Sequence, residues 1–353
     1  MNKVKKVVVI VVICVIILLL VGFAILLLTE YKPKAVETWQ VEGVNIKKLE
    51  IDDTVKLITY NIGYLSLDKT QDFCLDGGKG VMPDTDVNVN RNLAGVKQII
   101  NEENPDICLL QEVDLKAKRS YYINQYKEIS ESFEGTSTLS MYHKCLWIPY
   151  PFPNMVGYVE AGMSTLNKYD ISAERIALPS AYKFPMKQVM FKRNLLKQVI
   201  DIADSDKKLV VINLHLEAYD DGGVRLEQLN ILKRVMQEEY EKGNYVIAGG
   251  DFNQTFPVVD KTKYPVLDAE YFVATSIEED FLPTGWSYAV DDSVPTSRLL
   301  NKPYSGNYFD TQLYILDGYI VTPNIEIVSV KTLDTNFEYS DHQPVALQVK
   351  LKK

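Results

Sequence analysis

The sequence predicts a layered domain of α-helices and β-strands that follows a single membrane-spanning helix. Three observations predict this: an uncharged apolar run near the N-terminus, a series of strand-like runs, and two amphipathic helical patterns. The chain has 353 residues, of which 46% are hydrophobic and 24% are charged, as in most globular proteins. This composition excludes an intrinsically disordered chain, a collagen-like fold and a small disulfide-bonded scaffold.

The apolar run over residues 7–28 contains no charged residue and is long enough to cross a bilayer. As an α-helix it extends about 33 Å, against a hydrocarbon core of about 30 Å. A cleaved signal peptide is the alternative, because Lys3, Lys5 and Lys6 precede the run. Such leaders, however, have apolar cores of roughly 7–15 residues. The sequence therefore predicts an uncleaved membrane anchor.

The charges around the anchor predict its orientation and the organisation of the chain. Lysines favour the cytoplasmic side, so residues 1–6 are expected in the cytoplasm and the rest outside the cell membrane, in a single-pass topology. Residues 29–53 have mixed charge and few clustered apolar residues, which predicts a tether. Residues 54–353 contain no linker rich in Pro, Gly or Ser, which predicts one large domain.

The exported part of the chain is acidic. Without the three N-terminal lysines, the 38 basic residues of the chain fall to 35 against 47 acidic ones, a net charge near −12. Such a chain offers no broad basic surface for nucleic acid, although a nuclease that uses metal ions is not excluded. Only Cys74, Cys108 and Cys145 lie outside the apolar run, so disulfides are not the main source of stability.

Seven strand-like runs recur along the chain. The last alternates cleanly, because Val345, Leu347 and Val349 share one face while Gln348 and Lys350 take the other. This alternation predicts a half-buried antiparallel strand. The seven runs are Val55–Tyr60, Ile107–Leu110, Leu209–Leu216, Tyr245–Ala248, Leu313–Val321, Ile325–Leu333 and Pro344–Leu351.

Two apolar stripes have helical spacing. The first runs from Leu93 to Ile100 and ends before Pro105, and the second runs from Leu226 to Met236 and ends near Gly243. Helices among strands predict layered α and β elements. Between them, Leu146–Pro153 contains three prolines, which predicts a stiff loop. We expect its aromatic side chains to pack inward; the alternative is that they line the rim of a cleft.

The polar residues of greatest interest lie at or near the ends of strand-like runs, where a rigid sheet can hold side chains in fixed geometry. They carry carboxylate, amide or imidazole groups. Oxygen donors of this kind suit a hard cation such as Mg²⁺, whereas the few histidines and unpaired cysteines do not suit zinc. A carboxylate-bound cation beside a His-Asp pair is typical of phosphoester hydrolysis. The residues are Asn61, Glu112, His215, Asp251, Asn253, Asp317, Asp341 and His342.

Six short motifs containing these residues resemble, in order and spacing, those of the endonuclease/exonuclease/phosphatase superfamily with the deoxyribonuclease-I-like fold. The resemblance spans residues 60–342. It implies an α/β (in the broader sense α+β) four-layer sandwich, with two mixed β-sheets face to face and helices outside, and a Mg²⁺ cofactor with Mn²⁺ as an alternative. The motifs are Tyr60-Asn61, Gln111-Glu112-Val113, Asn213-Leu214-His215-Leu216, Gly250-Asp251-Phe252-Asn253, Leu316-Asp317-Gly318-Tyr319-Ile320 and Ser340-Asp341-His342.

The resemblance implies a metal site and one departure from the family pattern. Glu112 would be the principal metal ligand, with Asn61 and Asp341 completing or supporting the site. Some members, particularly DNA-repair endonucleases, carry an acidic residue two positions after the first Asn. That position is Gly63 here, which weighs against a repair nuclease.

The resemblance also implies the catalytic roles. Asp251 and Asn253 would orient the attacking water and the phosphoryl oxygens. His342, held by Asp317, would act as general acid/base or stabilise the transition state, and His215 would donate to a phosphoryl oxygen.

Three further residues have mainly structural interpretations. His143 lies outside every motif and is expected at the surface or in packing. Arg119 is expected to contact phosphate or to form an ion pair. Arg225 is expected to brace the fold at a helix start.

Together these inferences predict a membrane-anchored, extracytoplasmic phosphodiesterase, with phosphomonoesters as a possible second substrate class. The substrate would be a lipid, a small organophosphate or nucleic acid, and no protein partner is inferred. An extracellular nuclease is the enzymatic alternative. A surface protein that uses the same scaffold for binding without catalysis is the alternative of another class, and the intact set of polar motifs argues against it.

Overall fold

The structure, a computed structural model, describes residues 3–220, 223–260 and 262–353. Met1 and Asn2 of the predicted cytoplasmic N-terminus lie outside the described residues. The α-helices of the described chain are α1 (Lys3–Leu28), α2 (Asp86–Glu103), α3 (Gln125–Ser130) and α4 (Val224–Glu241).

Most strands belong to two seven-stranded mixed sheets. The first sheet contains, in spatial order, β1 (Val36–Trp39), β7 (Ile171–Ala177), β8 (Asn194–Asp201), β9 (Lys208–His215), β10 (Tyr245–Asp251), β14 (Asp317–Val321) and β11 (Ser287–Ala289). The second contains β15 (Ile325–Thr332), β16 (Val345–Leu351), β3 (Thr54–Asn61), β4 (Ile107–Ala117), β6 (Gly157–Asn167), β5 (Thr136–Ile148) and β2 (Glu42–Gly43). A separate pair joins β12 (Ser297–Arg298) to β13 (Leu313–Tyr314).

The two sheets pack face to face, and helices cover their outer faces. Leu57 of β3 packs in the core between the sheets with Val211 of β9, whereas its neighbour Ile58 packs beneath α2 with Val96. On the other side, Leu232 of α4 packs in a third cluster that includes strand residues of the first sheet. Burial on both faces explains why β9, whose Val210 and Val211 enter opposite clusters, reads as a nearly continuous apolar run. The predicted four-layer sandwich of two mixed sheets is confirmed.

The predicted strands are present, with one interruption. Strand β14 pairs with β10, but β13 pairs with β12, so the run Leu313–Val321 is divided. At the break, the backbone N–H groups of Leu316 and Asp317 donate to Thr296 Oγ1 at 2.9 and 3.1 Å. A side chain thus replaces a strand partner there, and Asp317 starts a new strand.

Four strands, β5 to β8, lie in a region for which the sequence suggested none. The inter-sheet face of this region is polar: Gln198 Nε2 donates to Thr138 Oγ1 at 2.5 Å, and Asn167 Nδ2 donates to Gln198 Oε1 at 3.0 Å. Buried amides and hydroxyls at inward positions remove the apolar alternation that identifies a strand. Hydrogen bonding across the sheets makes their burial favourable.

The loop that contains Leu146–Pro153 differs from expectation. Strand β5 extends to Ile148 before the chain turns, and the aromatic side chains remain exposed. The exposed fractions of Trp147, Tyr150 and Phe152 are 48%, 55% and 83%. The expectation of inward packing is therefore wrong, because the proline-containing segment lies outside the paired strands and solvent reaches its rings.

The N-terminal part of the chain consists of one apolar helix and a segment bonded to both sheets. Helix α1 has no buried side chain, and by length and composition it suits a membrane span or a signal sequence. Within residues 29–53, the predicted tether, β1 pairs with β7 of the first sheet and β2 pairs with β5 of the second.

Candidate active site

All eight sequence-predicted site residues lie at one edge of the sandwich, on both sheets. Asn61 ends β3 and His215 ends β9, while Asp251 ends β10. In the first sheet, Asp251 is paired in register with His215 on one side and Asp317 on the other. Neighbouring strand ends therefore place three ionisable groups side by side.

His342 is held in one orientation by Asp317. Its Nδ1 lies 2.8 Å from Asp317 Oδ2, so Nδ1–H donates to the carboxylate and Nε2 points the other way. Nε2 lies 3.7 Å from Asp251 Oδ2 and 4.0 Å from Asp341 Oδ2. Ser297 Oγ is also near, 3.3 Å from Nε2.

The surroundings of His342 are strongly acidic. Burial opposes a charge on the imidazole, but Asp317, Asp251 and Asp341 outweigh it and hold the pKa of His342 well above its ordinary value. The imidazolium is therefore favoured, which provides an N–H donor at Nε2.

Asn61 connects the two sheets at the site. Its Nδ2 donates to Asp251 Oδ2 at 3.1 Å, and its Oδ1 accepts the backbone N–H of Gly63 at 3.1 Å. Asp251 Oδ1 in turn accepts the backbone N–H of Asn253 at 2.8 Å, and Asn253 Nδ2 donates to the carbonyl of Leu216 at 2.9 Å. Asp251 is thus fixed by both sheets and by the turn that follows it.

Glu112 reaches the site because β4 bulges there. The pairing of β4 with β6 shifts between Leu110 and Val113, and Glu112 has a left-handed backbone with φ of 57°. Such a conformation is uncommon for a residue other than glycine, asparagine or aspartate. It brings Glu112 Oε1 to 3.9 Å from His215 Nε2.

Gly63 is required by close packing beneath the site. Its φ is 54°, and a Cβ atom there would lie 2.7 Å from Asp341 Oδ1 and 2.9 Å from Ser340 Oγ. Ser340 Oγ itself donates to the carbonyl of Asn61 at 2.8 Å. The turn that carries Asp341 therefore rests directly on the space that a side chain would occupy.

His215 is buried in a less acidic part of the site. Its Nε2 lies 3.4 Å from Asp251 Oδ2, and its ring meets the ring of Tyr142 edge-on at 6.1 Å between centroids. Burial, together with the charges of Arg193 and His342, holds the pKa of His215 well below its ordinary value. The two site histidines thus have opposite protonation preferences.

The donor set fits a divalent cation. One ligand atom each from Asp251, Asp317 and His342 lies within 4.8 Å of the others. This group contains none of the predicted ligands, but two of them lie near it: Asp341 Oδ2 is 4.0 Å from His342 Nε2, and Glu112 Oε1 is 3.9 Å from His215 Nε2. Burial and the mutual repulsion of these two carboxylates raise the pKa of Glu112, and burial raises that of Asp341. These closely spaced carboxylates carry more negative charge than the neighbouring cations balance. A Mg²⁺ or Mn²⁺ ion would supply the missing positive charge.

Two residues of the site carry no sequence signal. Ser297 lies in the short strand β12 and belongs to no motif. Arg193 is buried with its guanidinium over the rings of Phe191 and Tyr142, at 4.5 and 5.6 Å, and its charge lowers the pKa of His215. Among the described residues, its Nε and Nη1 have no hydrogen-bond partner. In the sequence, Arg193 is only the second residue of the pair Lys192-Arg193, and such pairs are too common to identify a site residue.

The remaining charged candidates are structural. Arg119 forms a two-point ion pair with Asp114, with distances of 3.2 and 2.9 Å. Of the two roles predicted for Arg119, the structure therefore shows the ion pair. Arg225 Nη1 donates to the carbonyl of Asn253 at 2.8 Å and so braces the turn after β10. His143 is buried, with Nε2 2.8 Å from the carbonyl of Val189, which confirms its packing role.

Comparisons with known proteins agree with the fold. The sequence model of the Endonuclease/Exonuclease/phosphatase family matches residues 58–342. An endonuclease/exonuclease/phosphatase from Beutenbergia cavernae DSM 12333 superposes with a TM-score of 0.56 at 15% identity, covering 85% of this chain and 72% of that chain. No curated protein sequence matches the chain.

Two further solved structures have similar folds. A family protein from Bacteroides thetaiotaomicron has a TM-score of 0.52 at 15% identity, covering 84% of this chain and 98% of that chain. The human nocturnin catalytic domain, solved with a bound sulfate anion, has a TM-score of 0.51 at 15% identity, covering 89% of this chain and 98% of that chain.

Proposed function

The chain belongs to the endonuclease/exonuclease/phosphatase family, and on that basis we propose that it is a divalent-metal-dependent phosphodiesterase anchored in the cell membrane. Members of the family are hydrolases that act on phosphoester bonds. The observation that carries the proposal is the His342–Asp317 pair, which directs Nε2 toward the carboxylate of Asp251. A binding protein would have no need for an imidazole aligned in this way.

Glu112, with Asn61 and Asp341, would hold the cation. When bound, the cation would polarise a phosphoryl oxygen and offset the charge that develops on phosphorus. The bulge at Glu112 supports this role, because it costs backbone strain that would be unnecessary for a residue that only packs.

The catalytic side chains would each contribute a defined step. Asp251, fixed by Asn61 and Asn253, would orient water for in-line attack and accept its proton as the water oxygen bonds to phosphorus. As the bond from phosphorus to the leaving oxygen breaks, His342 Nε2–H would protonate that oxygen or stabilise its charge. Neutral His215 would donate from Nε2 to a non-bridging oxygen, and Asn253 would help to position the phosphoryl group.

The charge of the chain and the anchor favour a substrate that is not duplex DNA. The part of the chain after the anchor has a net negative charge, so its overall charge does not attract nucleic acid. The basic residues before the apolar run support an orientation with the catalytic domain outside the cell. A phosphodiester on a lipid or a small organophosphate fits both features.

Release of product from a bis-aryl phosphodiester tests this proposal. We expect turnover with Mg²⁺, its loss with a chelator, and its return when Mg²⁺ is added in excess. Plasmid, sphingomyelin, inositol phosphates and an aryl phosphomonoester would then define the substrate class. No turnover on any of these substrates with Mg²⁺ or Mn²⁺ would contradict the proposal and favour a binding role.

A further inference from the structure

Helix α1 is fastened directly to the catalytic domain. Just after the helix, Glu30 Oε1 forms an ion pair with Lys192 Nζ at 2.9 Å, and both side chains are largely buried. Tyr31 Oη donates to the carbonyl of Met141 at 3.4 Å, and β1 follows within a few residues. The chain therefore has little slack between the helix and the domain, and a bilayer around α1 would touch the domain surface.

One loop of the domain reaches down the side of the helix. The ring of Phe184 meets the ring of Phe23 edge-on at 5.6 Å between centroids. Phe23 lies five residues before Leu28, or about 7.5 Å below the end of the apolar run. The run exceeds the hydrocarbon thickness by only about 3 Å. Phe184 is thus level with the hydrocarbon core even if all the surplus lies on this side.

The composition of this loop suits a lipid surface. Residues 178–193 contain no acidic residue, although the whole chain has a net charge of −9. Of their four basic residues, Lys192 is paired with Glu30 and Arg193 is buried, whereas Lys183 and Lys187 are exposed. Residues 183–187 are all exposed, including the apolar side chains of Phe184 and Met186. Exposed apolar groups flanked by lysines are typical of segments that enter an anionic membrane interface.

The same loop forms a wall of the active site at both ends. At its start, Tyr182 Oη donates to Glu217 Oε1 at 3.4 Å, two residues after His215. At its end, Arg193 lies over the ring of Tyr142, which packs against His215. The loop therefore extends from the side of α1 to the surroundings of His215.

We propose that residues 182–187 form a second membrane contact, in which Phe184 and Met186 enter the bilayer that holds α1 while Lys183 and Lys187 bind its anionic headgroups. This contact places the active site beside the bilayer surface, where it meets phosphoesters carried by lipids. The proposal rests on the membrane anchoring in the proposed function, but it does not require turnover.

Quenching by brominated lipids tests the contact in the full-length chain. Phe184→Trp is reconstituted in phosphatidylcholine–phosphatidylglycerol vesicles with and without brominated acyl chains, and the emission of the wild-type tryptophans is subtracted. The matched control is Phe309→Trp, because Phe309 is 90% exposed and lies in another part of the domain, in the single turn Tyr308–Asp310 before β13. We expect the added emission of Phe184→Trp to be quenched several-fold more strongly than that of Phe309→Trp. Equal quenching of the two would overturn the proposal.

Two accompanying measurements separate the possible failures. Flotation of the vesicles reports whether α1 anchors the chain, and hydrolysis of a soluble bis-aryl phosphodiester reports the proposed activity. Flotation without Phe184→Trp quenching would reject the loop contact alone, whereas quenching without hydrolysis would reject the activity and leave the contact standing. The double variant Lys183→Glu/Lys187→Glu should reduce the quenching of Phe184→Trp, and unchanged quenching would remove the lysines from the contact.

Discussion

Two buried histidines of this protein have opposite surroundings. His342 faces Asp317, Asp251 and Asp341, and its pKa lies well above the ordinary value. His143 is buried to a similar degree, but burial and the charge of Arg119 lower its pKa to about 3, and Arg193 adds to this effect. Its Nε2–H donates to a backbone carbonyl, as a neutral structural imidazole would.

The contrast shows that burial alone does not determine the state of a histidine. Both rings are removed from water, and the sign of the neighbouring charges decides whether a proton is retained. Carboxylates around His342 favour the imidazolium that the proposed acid/base role requires, whereas burial and cations around His143 favour a neutral ring that packs. The same residue type thus suits proton transfer at one place along the second sheet and packing at another.

The largest expected effect comes from exchanging each histidine for glutamine. His342→Gln should lower kcat/KM on a bis-aryl phosphodiester by roughly 10²–10⁴-fold, because it removes the proton-transferring imidazole. His143→Gln should leave kcat/KM nearly unchanged, since an amide can replace its bond to the Val189 carbonyl. Near-wild-type turnover by His342→Gln would refute the acid/base role.

The carboxylate excess around His342 predicts a metal requirement that can be measured directly. Glu112→Gln should raise the Mg²⁺ concentration needed for half-maximal activity by about 100-fold, the upper range for loss of groups that support a metal. Glu131→Gln is a suitable control, because Glu131 is exposed on the surface. An unchanged Mg²⁺ dependence in Glu112→Gln would remove Glu112 from the metal site.

Asp317 should act through the position of His342. Asp317→Asn is expected to lower kcat by about 10- to 100-fold with little change in KM or melting temperature, because the imidazole loses its orienting carboxylate. Asp317→Glu should recover part of this loss if its carboxylate reaches Nδ1. A parallel fall in kcat and melting temperature would instead indicate a general structural role.

The smallest effect concerns stability in acid. The folded-state pKa of His143, about 3, lies below the ordinary value of 6.5, so the unfolded chain takes up a proton first as the pH falls. This group has almost no effect on stability well above pH 6.5, and it lowers the free energy of unfolding by about 2 kcal/mol at pH 5. In urea denaturation of the full chain in detergent, His143→Gln should gain about this amount relative to wild type between pH 7 and pH 5. A constant difference between the two proteins would contradict the assignment.

The sequence predicted much of the site, because its residues lie where apolar strands end. Asn61, His215 and Asp251 terminate their strands, and such ends are visible as a change from apolar to polar residues. The bulge that turns Glu112 toward His215 is not visible in the sequence, because it depends on pairing with β6. Ser297 and Arg193 are brought in by tertiary packing alone.

The fold was less evident where the interior is polar. Strands β5 and β8 bury Ser140 and Asn194, which hydrogen-bond to each other at 2.6 Å between the sheets. A pattern based on apolar alternation cannot recognise such a strand. The prediction that the aromatic side chains near the end of β5 pack inward was wrong for a related reason. The sequence shows that a side chain is large and apolar, but it does not show whether protein or solvent surrounds it.

Gly63 links two distant segments of the chain at the site. A Cβ atom at position 63 would meet the side chains of Ser340 and Asp341, which lie almost three hundred positions further along the chain, so those side chains would have to move. An acidic residue at position 63 would therefore displace the side chains that shape the turn at positions 340 and 341. A variant that keeps this turn would need compensating changes at those two positions.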